Sequence, residues 1–237
     1  MMRQSIRSVA MIFWIASSWC QLPADDTTAR LRDSLLFHTS FDQGIDADLA
    51  KGDPRLWTAR SMDQRDQAQL GLPTGMEVTH SRDGGRFGGA VRFHKSSGPM
   101  VFYRASRNFP AMHPDWSGTV SFWLSADPPG ELNEGFCDPI QITSKSWDDS
   151  SLFVEFEKRP AGIPFRLGIY ADKSIWNPAN RKFSDIPAHE RPLVTVEKPP
   201  FEKGRWTHVA ITLAHGNTGK NDGISKLYLN GNLAGEI

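Results

Sequence analysis

The feature of this sequence that most limits its fold is a series of short segments in which apolar and polar residues alternate. A period of two places one apolar face on a core, which is typical of antiparallel sheets. The segments are "SLLFHTSFD" (34–42), "GAVRFH" (89–94), "GTVSFWLSA" (118–126), "SLFVEFEK" (151–158), "FRLGIYA" (165–171) and "WTHVAITLA" (206–214). In addition, "SKLYLNGNLAGEI" (225–237) predicts two strands around a tight Asn-Gly turn.

The residues between these segments favour turns over helices. The chain has 16 prolines and 20 glycines, and these residues disfavour long helices. The sequence therefore predicts one all-β sandwich of antiparallel sheets with long loops.

The N-terminus has the three-part pattern of a secretory signal peptide. Arg3 and Arg7 precede an apolar run that is too short to span a bilayer, and Ala24 ends a cleavage site. We expect a signal peptide over 1–24, a short segment over 25–34 and one domain over 35–237. An uncleaved anchor is the alternative, and a lipoprotein signal at Cys20 is disfavoured by the bulky residue before it.

Cleavage at this site implies a secreted protein, in the periplasm or outside the cell. Cys137 is then the only cysteine left, so the mature chain has no internal disulfide, and a buried thiol is favoured over a reactive one. The full chain has 27 basic and 27 acidic residues and no basic run, which argues against binding to nucleic acid. No later stretch is long and apolar enough for a membrane-spanning helix.

Five motifs in order connect the chain to a known fold family. "LLFHTSFDQG", "GRFGGAVRF", "GTVSFWLSA", "GRWTHVAITL" and "KLYLNGNLAGE" together resemble the laminin-G-like, concanavalin A-like domain. The resemblance covers about 35–237 and implies an antiparallel two-sheet jelly roll. This fold hosts lectins, glycosidases, lyases and adhesion modules, so it does not specify an activity.

The family usually continues past the Asn-Gly hairpin through further strands, one of which pairs with the first strand. The last strands of the domain are thus expected to be missing: either the chain is a truncated product, or the strand that begins at Leu35 has an open edge. An open apolar edge invites pairing with a partner, and we expect it to be the weak point of the fold.

His208 lies in a strand, between Trp206 and the apolar residues Val209 and Ile211. Alternation places Trp206 and His208 on the face away from the core. The family keeps this pair as structure, so a structural histidine is favoured over a catalytic or metal-binding one. Trp123 and Trp206 are both expected to serve packing.

Glu155 and Glu157 form the sharpest enzyme hypothesis. Carboxylates at i and i+2 on a strand share a face, and a retaining glycosidase needs two carboxyl groups about 5–5.5 Å apart. The glucanases of this fold use a Glu-x-Asp-x-Glu strand, and "FVEFEKR" breaks that motif in either register. The alternative is a solvated strand face.

Calcium is the second candidate, because jelly rolls of this kind often hold it in loops. Calcium prefers six to eight oxygen ligands. Asp42 follows the first strand, and Asn221 and Asp222 precede the last hairpin; Asp46 and Asp48 add further carboxylates. Turn chemistry alone is the competing explanation, since turns favour the same residues.

Contact with a sugar is the third candidate. Trp147 and Trp176 lie in predicted loops beside Asp148 and Asn177. An aromatic ring next to carboxylate and amide groups suits a sugar, whereas a tryptophan that plugs the end of the sandwich would bury a large apolar area.

Three functions follow from these patterns. The first is a binding or adhesion module for a polysaccharide, another glycan or an extracellular protein, without catalysis. The second is a glycoside hydrolase or polysaccharide lyase that uses Glu155 and Glu157. The third is a structural piece that works when a partner covers its open edge.

Overall fold

The computed structural model describes residues 24–95, 98–111 and 113–237. The chain divides into two compact units, Met1–Leu35 and Leu36–Ile237. The described part of the first unit holds one helix, α1 (Ala24–Asp33). Almost all of the predicted signal peptide, 1–24, lies outside the described residues. No described helix has the length and apolar character needed to cross a membrane.

The second unit is built mainly of short strands. In the described residues the strands are β1 (Phe37–His38), β2 (Leu49–Ala50), β3 (Leu56–Ala59), β4 (Gln69–Leu70), β5 (Val78–Ser81), β6 (Ala90–Phe93), β7 (Met100–Tyr103), β8 (Trp116–Ser125), β9 (Gly135–Ile142), β10 (Ser151–Lys158), β11 (Phe165–Tyr170), β12 (Leu193–Val196), β13 (Trp206–Gly216), β14 (Ile224–Leu229) and β15 (Asn232–Glu236). The helices are short, as the many prolines and glycines predict. They are α2 (Pro128–Glu131) and α3 (Lys173–Trp176), with 3₁₀ turns at Met62–Gln67, Phe183–Asp185 and Ala188–Glu190.

Four strands form the sheet that we call the C-terminal sheet. Its order is β15-β14-β13-β8, and every pairing in it is antiparallel. The predicted Asn-Gly hairpin is confirmed: Leu229 pairs with Asn232, and Asn230 and Gly231 have φ of 50° and 81°. Positive φ at both central residues is what a two-residue hairpin turn of this twist requires.

Four other strands form the central sheet, in the order β12-β11-β10-β9, again fully antiparallel. The β9–β10 pairing shifts between Val154 and Phe156, so Asp138 and Pro139 lie opposite Glu155 in a bulge. Proline lacks the N–H that a ladder needs, and a bulge is a place where a sheet tolerates it.

The two four-stranded sheets share one hydrophobic core. From the central sheet come Leu152, Val154, Phe156, Phe165, Leu167 and Val194; from the C-terminal sheet come Val209, Ile211, Leu227 and Leu229, and Phe201 joins them from the connection between β12 and β13. The ring centroids of Phe156, Phe165 and Phe201 are all 4.9 Å apart. The predicted all-β fold class is confirmed, and the sheets are antiparallel.

The N-terminal part of this unit forms three smaller antiparallel sheets, β1-β2, β4-β3-β7 and β5-β6. The segment 34–42 was expected to be one strand, but only Phe37 and His38 pair, with Ala50 and Leu49. Asn108 ties these elements together, since its side chain accepts from Gly52 N at 2.7 Å and donates to two backbone carbonyls.

Candidate functional site

The structure brings three of the four predicted sugar-contacting residues together. Trp147 and Asp148 lie in the loop between β9 and β10, and Trp176 ends α3. The indole Nε1 of Trp176 donates to the backbone oxygen of Asp148 at 2.8 Å. This bond joins the two loops on the face of the central sheet that points away from the core.

Tyr170 organises the rings at this position. Its ring centroid is 5.0 Å from that of Trp176 and 5.6 Å from that of Trp147, both edge to face, and it stacks on Phe153 at 5.9 Å. Phe183 completes the set, 5.1 Å from Trp147. We call these five residues the Tyr170 cluster. Sequence reasoning missed Tyr170, although its place at the end of β11 opposite Ser151 follows from the strand pairing.

The members of the Tyr170 cluster differ in exposure. Phe153 and Tyr170 are 2% and 4% exposed, whereas Trp147 is 44% exposed. The hydroxyl of Ser151 donates to the backbone oxygen of Trp147, which fixes the loop beneath the ring. Trp176 and Phe183 are half-buried, so Trp147 is the most exposed member of the cluster. The sequence left open that the two tryptophans are packing residues at the end of the sandwich. That role fits Trp176 better than Trp147.

The loop that carries Trp147 and the start of α3 also carry a network of charged side chains. Lys145 contacts Asp149 at 3.1 Å and Asp172 at 2.8 Å, and Lys173 contacts Asp148 at 2.7 Å. The hydrogen bonds from Lys145 hold the pKa of Asp172 well below its ordinary value. Burial raises the pKa of Asp148, but the hydrogen bonds from Lys173 and Ser146 outweigh it and lower the pKa. Asp148 and Asp172 are therefore ionised at neutral pH.

Asn177 does not join this surface. It is 3% exposed, its Oδ1 accepts from Arg181 N at 3.0 Å, and its Nδ2 donates to Arg181 O at 2.9 Å. Both ends of the amide are engaged with the backbone, so the side chain stabilises the 177–181 turn.

Glu155 and Glu157 share a face of β10, as predicted, but that face is not solvated. Glu155 is 6% exposed and its neighbour Phe153 is buried, so the prediction of a solvated strand face is wrong. Arg166 lies directly across from Glu155 in β11. It donates to Glu155 through Nε at 2.8 Å and through Nη2, and to Glu157 through Nη1 at 3.0 Å.

The electrostatics of this group follow from burial. Burial raises the pKa of Glu155 above its ordinary value, and Arg166 offsets only part of that effect. Burial likewise raises the pKa of Asp138, which the bulge in β9 places near the same guanidinium. Arg166 thus faces three carboxylates, and a second cation, Arg159, lies 3.7 Å from a carboxylate oxygen of Glu157. Sequence reasoning missed Arg166 and Asp138; an arginine between the core residues Phe165 and Leu167 was the available signal.

Two of the predicted calcium ligands, Asp42 and Asp222, accept hydrogen bonds from other parts of the chain. Asp42 Oδ1 accepts from Gly89 N at 2.7 Å, and Asp222 Oδ1 accepts from the hydroxyl of Thr218. Over the described ranges, no three or more His, Cys, Asp or Glu side chains are grouped so that they could hold a metal. With Asn221 they do not supply the six to eight oxygens that calcium prefers, and calcium binding stays a prediction.

A polar hollow of about 330 Å³ lies beside Asp42 and is lined by residues 43–48. Its two carboxylates are engaged with the backbone: Asp46 accepts from Leu56 N at 3.0 Å, and Asp48 accepts from Ser40 N at 2.5 Å. Each bond joins residues eight or ten positions apart, so these carboxylates tie the 43–48 loop to Ser40 and to the start of β3.

His208 lies on the outer face of the C-terminal sheet, as the alternation predicted. It pairs with Trp123 across the β8–β13 ladder, and its Nε2 lies 2.8 Å from Ser121 Oγ. Trp123 also points outward and is 38% exposed, and its ring packs against those of Phe87 and His208 on this face.

Known proteins provide no guide to this arrangement. No family model matches the chain, and searches of curated proteins and of solved structures find no match. The geometry of the sites is therefore the basis for a functional proposal.

Proposed function

We propose that this chain is a secreted binding module of laminin-G-like, jelly-roll type. Two antiparallel sheets around one core, and five family motifs in order along the sequence, support the fold assignment. The apolar run after Arg3 and Arg7 supports export. The ligand is a glycan, with an extracellular protein as the alternative partner.

The observation that carries the proposal is the exposure of Trp147 on a rigid support. Its ring is 44% exposed, yet Tyr170 and Phe183 hold it edge to face. A sugar ring presents C–H groups to an aromatic face and hydroxyls to its surroundings. The neighbouring Lys145 and Asp172 supply a donor and acceptors for those hydroxyls. A fixed ring also avoids the ordering cost that a mobile ring would add on binding.

A panel of neutral polysaccharides tests this site. We expect the purified protein to bind at least one of them. Trp147→Ala should lower the affinity about tenfold, because one stacking contact between the ligand and an aromatic ring is lost. Trp147→Phe keeps a ring and retains most of the affinity. Met76→Ala, which removes another exposed apolar side chain, is the control. Equal binding by Trp147→Ala and the control would refute the site.

As part of the same proposal, calcium binds at the loops and stabilises them. Chelation by EDTA is expected to lower the melting temperature if the ion is bound. Asp42→Asn keeps the Oδ1 acceptor for Gly89 N but removes the charge, so it separates the two roles of this side chain. A melting temperature unmoved by EDTA in both proteins would remove calcium from the proposal.

Cleavage of a polysaccharide at Glu155 and Glu157 is the second candidate function. The raised pKa of Glu155 favours it, because a general acid must hold its proton near neutral pH. Against it, Arg166 occupies both carboxylates, and the Glu155 and Glu157 side chains are only 8% and 21% exposed. Sugar release that Glu155→Gln abolishes would establish this function; release unchanged by Glu155→Gln would exclude these residues.

A further inference from the structure

The outer face of the C-terminal sheet carries a second group of exposed rings. Trp123 is 38% exposed and Phe87 is 74% exposed, and their centroids lie 5.4 Å apart, edge to face. The imidazole of His208 lies 5.1 Å from the Trp123 ring. Together with Arg86 we call these residues the Arg86 platform. Isolated exposed apolar residues are common on protein surfaces, whereas adjacent exposed rings are typical of interaction sites.

Arg86 adds an unpaired cation to these rings. Its guanidinium carbon lies 4.7 Å from the Phe87 centroid and 5.5 Å from the Trp123 centroid. Within the described parts of the chain, Arg86 makes no hydrogen bond or ion pair with another residue. Arg166 is different, since its donors are occupied by Glu155 and Glu157. The planar fork of Arg86 is therefore oriented by stacking and open to an anion.

The loop that presents Arg86 and Phe87 is fixed by its backbone. Gly85 N donates to Gly88 O at 2.7 Å, and Gly89 N donates to Asp42 Oδ1 at 2.7 Å. A Cβ at Gly89 would lie 2.0 Å from Phe41 O, so only glycine allows this close approach. The tip of the turn thus holds the cation and the ring in place before a ligand arrives, which reduces the cost of ordering on binding.

The sequence segment that presents Arg86 and Phe87 has more basic than acidic residues, and the Asp42 carboxylate lies against its turn at Gly88 and Gly89. Residues 80–95 include four basic residues, Arg82, Arg86, Arg92 and Lys95, against the single acid Asp83. The chain as a whole has as many acidic as basic residues, so this segment is a local excess of positive charge. Such an excess attracts anions and raises their local concentration.

We propose that the Arg86 platform binds an acidic polysaccharide. A sugar ring stacks on Trp123, its carboxylate or sulfate accepts hydrogen bonds from Arg86, and the hydroxyls of Ser121 and Thr119 line the same outer face of β8. This inference goes beyond the Trp147 site and does not depend on it. Trp147 packs on Tyr170 at the outer face of the central sheet, so the two surfaces lie on opposite sides of the core.

The test compares anionic and neutral polymers against point variants of the full chain. The probes are polygalacturonate, dextran sulfate and unmodified dextran, with retention in affinity electrophoresis as the readout at about 0.15 M salt. Dextran and its sulfate share a backbone, so their difference reports the charge. Binding to polygalacturonate alone assigns a uronate ligand, and binding to dextran sulfate alone assigns a sulfated one; either supports the proposal.

We expect Arg86→Ala and Phe87→Ala to weaken binding of the anionic probe about tenfold, because a charge-assisted contact and a stacked ring are lost. Arg86→Lys keeps the charge but not the planar fork and also loses affinity. Arg82→Ala is the matched control, since it removes an equal charge four residues earlier from an exposed position.

Three results would overturn the proposal. Equal losses in Arg82→Ala and Arg86→Ala would mean diffuse attraction, and equal retention by dextran would remove the role of charge. Anionic binding lost only in Trp147→Ala would move the ligand to the other surface and leave the proposed function intact. Phe87 lies at an exposed turn tip, so Phe87→Ala removes a ring of the platform without a substitution inside the sheet.

Discussion

The guanidinium of Arg166 hydrogen-bonds one carboxylate oxygen of Glu155 through two nitrogens, directly across the β10–β11 pair. The Arg166 and Glu155 side chains are 15% and 8% exposed. Phe136 covers the pair from outside, with its ring centroid 5.1 Å from the guanidinium carbon. The pair therefore lies in a low-dielectric environment in which each charge depends on the other.

Removing Arg166 is expected to destabilise the fold strongly. Arg166→Met leaves the buried Glu155 without its cation, and Glu157 keeps only the longer contact with Arg159 at 3.7 Å. This change should lower the free energy of unfolding by about 3–5 kcal/mol at pH 7. Arg205→Met, which breaks the exposed pair with Glu202, should change it by less than about 0.5 kcal/mol. Urea denaturation monitored by tryptophan fluorescence measures both. Similar effects of the two substitutions would show that the buried pair contributes no more than a surface one.

The raised pKa of Asp138 makes stability depend on pH in a defined direction. Its folded pKa lies above the ordinary value of 3.8 because of burial, so the folded state holds its proton more tightly than the unfolded state. The associated stability is present below pH 3.8 and is lost as the pH rises through the folded pKa. Glu155 acts in the same sense, with Arg166 opposing both.

Asp138→Asn isolates this contribution, because asparagine does not titrate. The stability of the wild type relative to the variant should fall as the pH rises from about 4 towards neutrality. Denaturation midpoints at a series of pH values measure it. A relative stability that rises with pH would mean that the attraction of Arg166 outweighs burial and lowers the pKa of Asp138 overall.

Gly168 is required by the ring that lies over it. A Cβ at this position would lie 2.2 Å from Phe153 Cζ, and Phe153 is 2% exposed, so the ring has little room to move. Gly168→Ala should cost about 1–3 kcal/mol of stability through overpacking. Gly118→Ala is the control, since its Cβ would meet only ordinary contacts at 3.5 Å. Adding Phe153→Leu to Gly168→Ala should recover part of the lost stability. If it recovers none, contact with the Phe153 ring is not the cause of the loss.

Alternation predicted much of the second unit because a period of two fixes which side chains meet the core. β10 begins and ends at Ser151 and Lys158, the bounds of the predicted segment. Alternation gives no information on what covers the other face. The outer face of β10 is covered by the rings around Tyr170, some of which come from a stretch between β11 and β12 without alternation.

The missed strands and site residues have similar physical causes. β9 contains Pro139 beside Asp138, which indicates a loop in the sequence, but the proline falls at the bulge where the ladder is already interrupted. The contact between Arg166 and Glu155 depends on the register across a six-residue connection, 159–164, which alternation does not specify. The outward direction of Trp123 was available from alternation, since Phe122 and Leu124 face the core.

The turn that carries Arg86 depends on a close backbone approach at Gly89. Gly89 approaches Phe41 so closely that an added Cβ would lie 2.0 Å from its backbone oxygen, and backbone does not yield as a side chain does. Gly89→Ala should therefore displace the turn, lose the hydrogen bond to Asp42, and lower stability by about 1–3 kcal/mol. Gly44→Ala, whose Cβ would meet nothing within 4 Å, should leave stability nearly unchanged. Thermal melts followed by circular dichroism compare the two variants. A Gly89→Ala protein as stable as Gly44→Ala would mean that the loop adjusts freely, and that Arg86 and Phe87 are not held in place before a ligand binds.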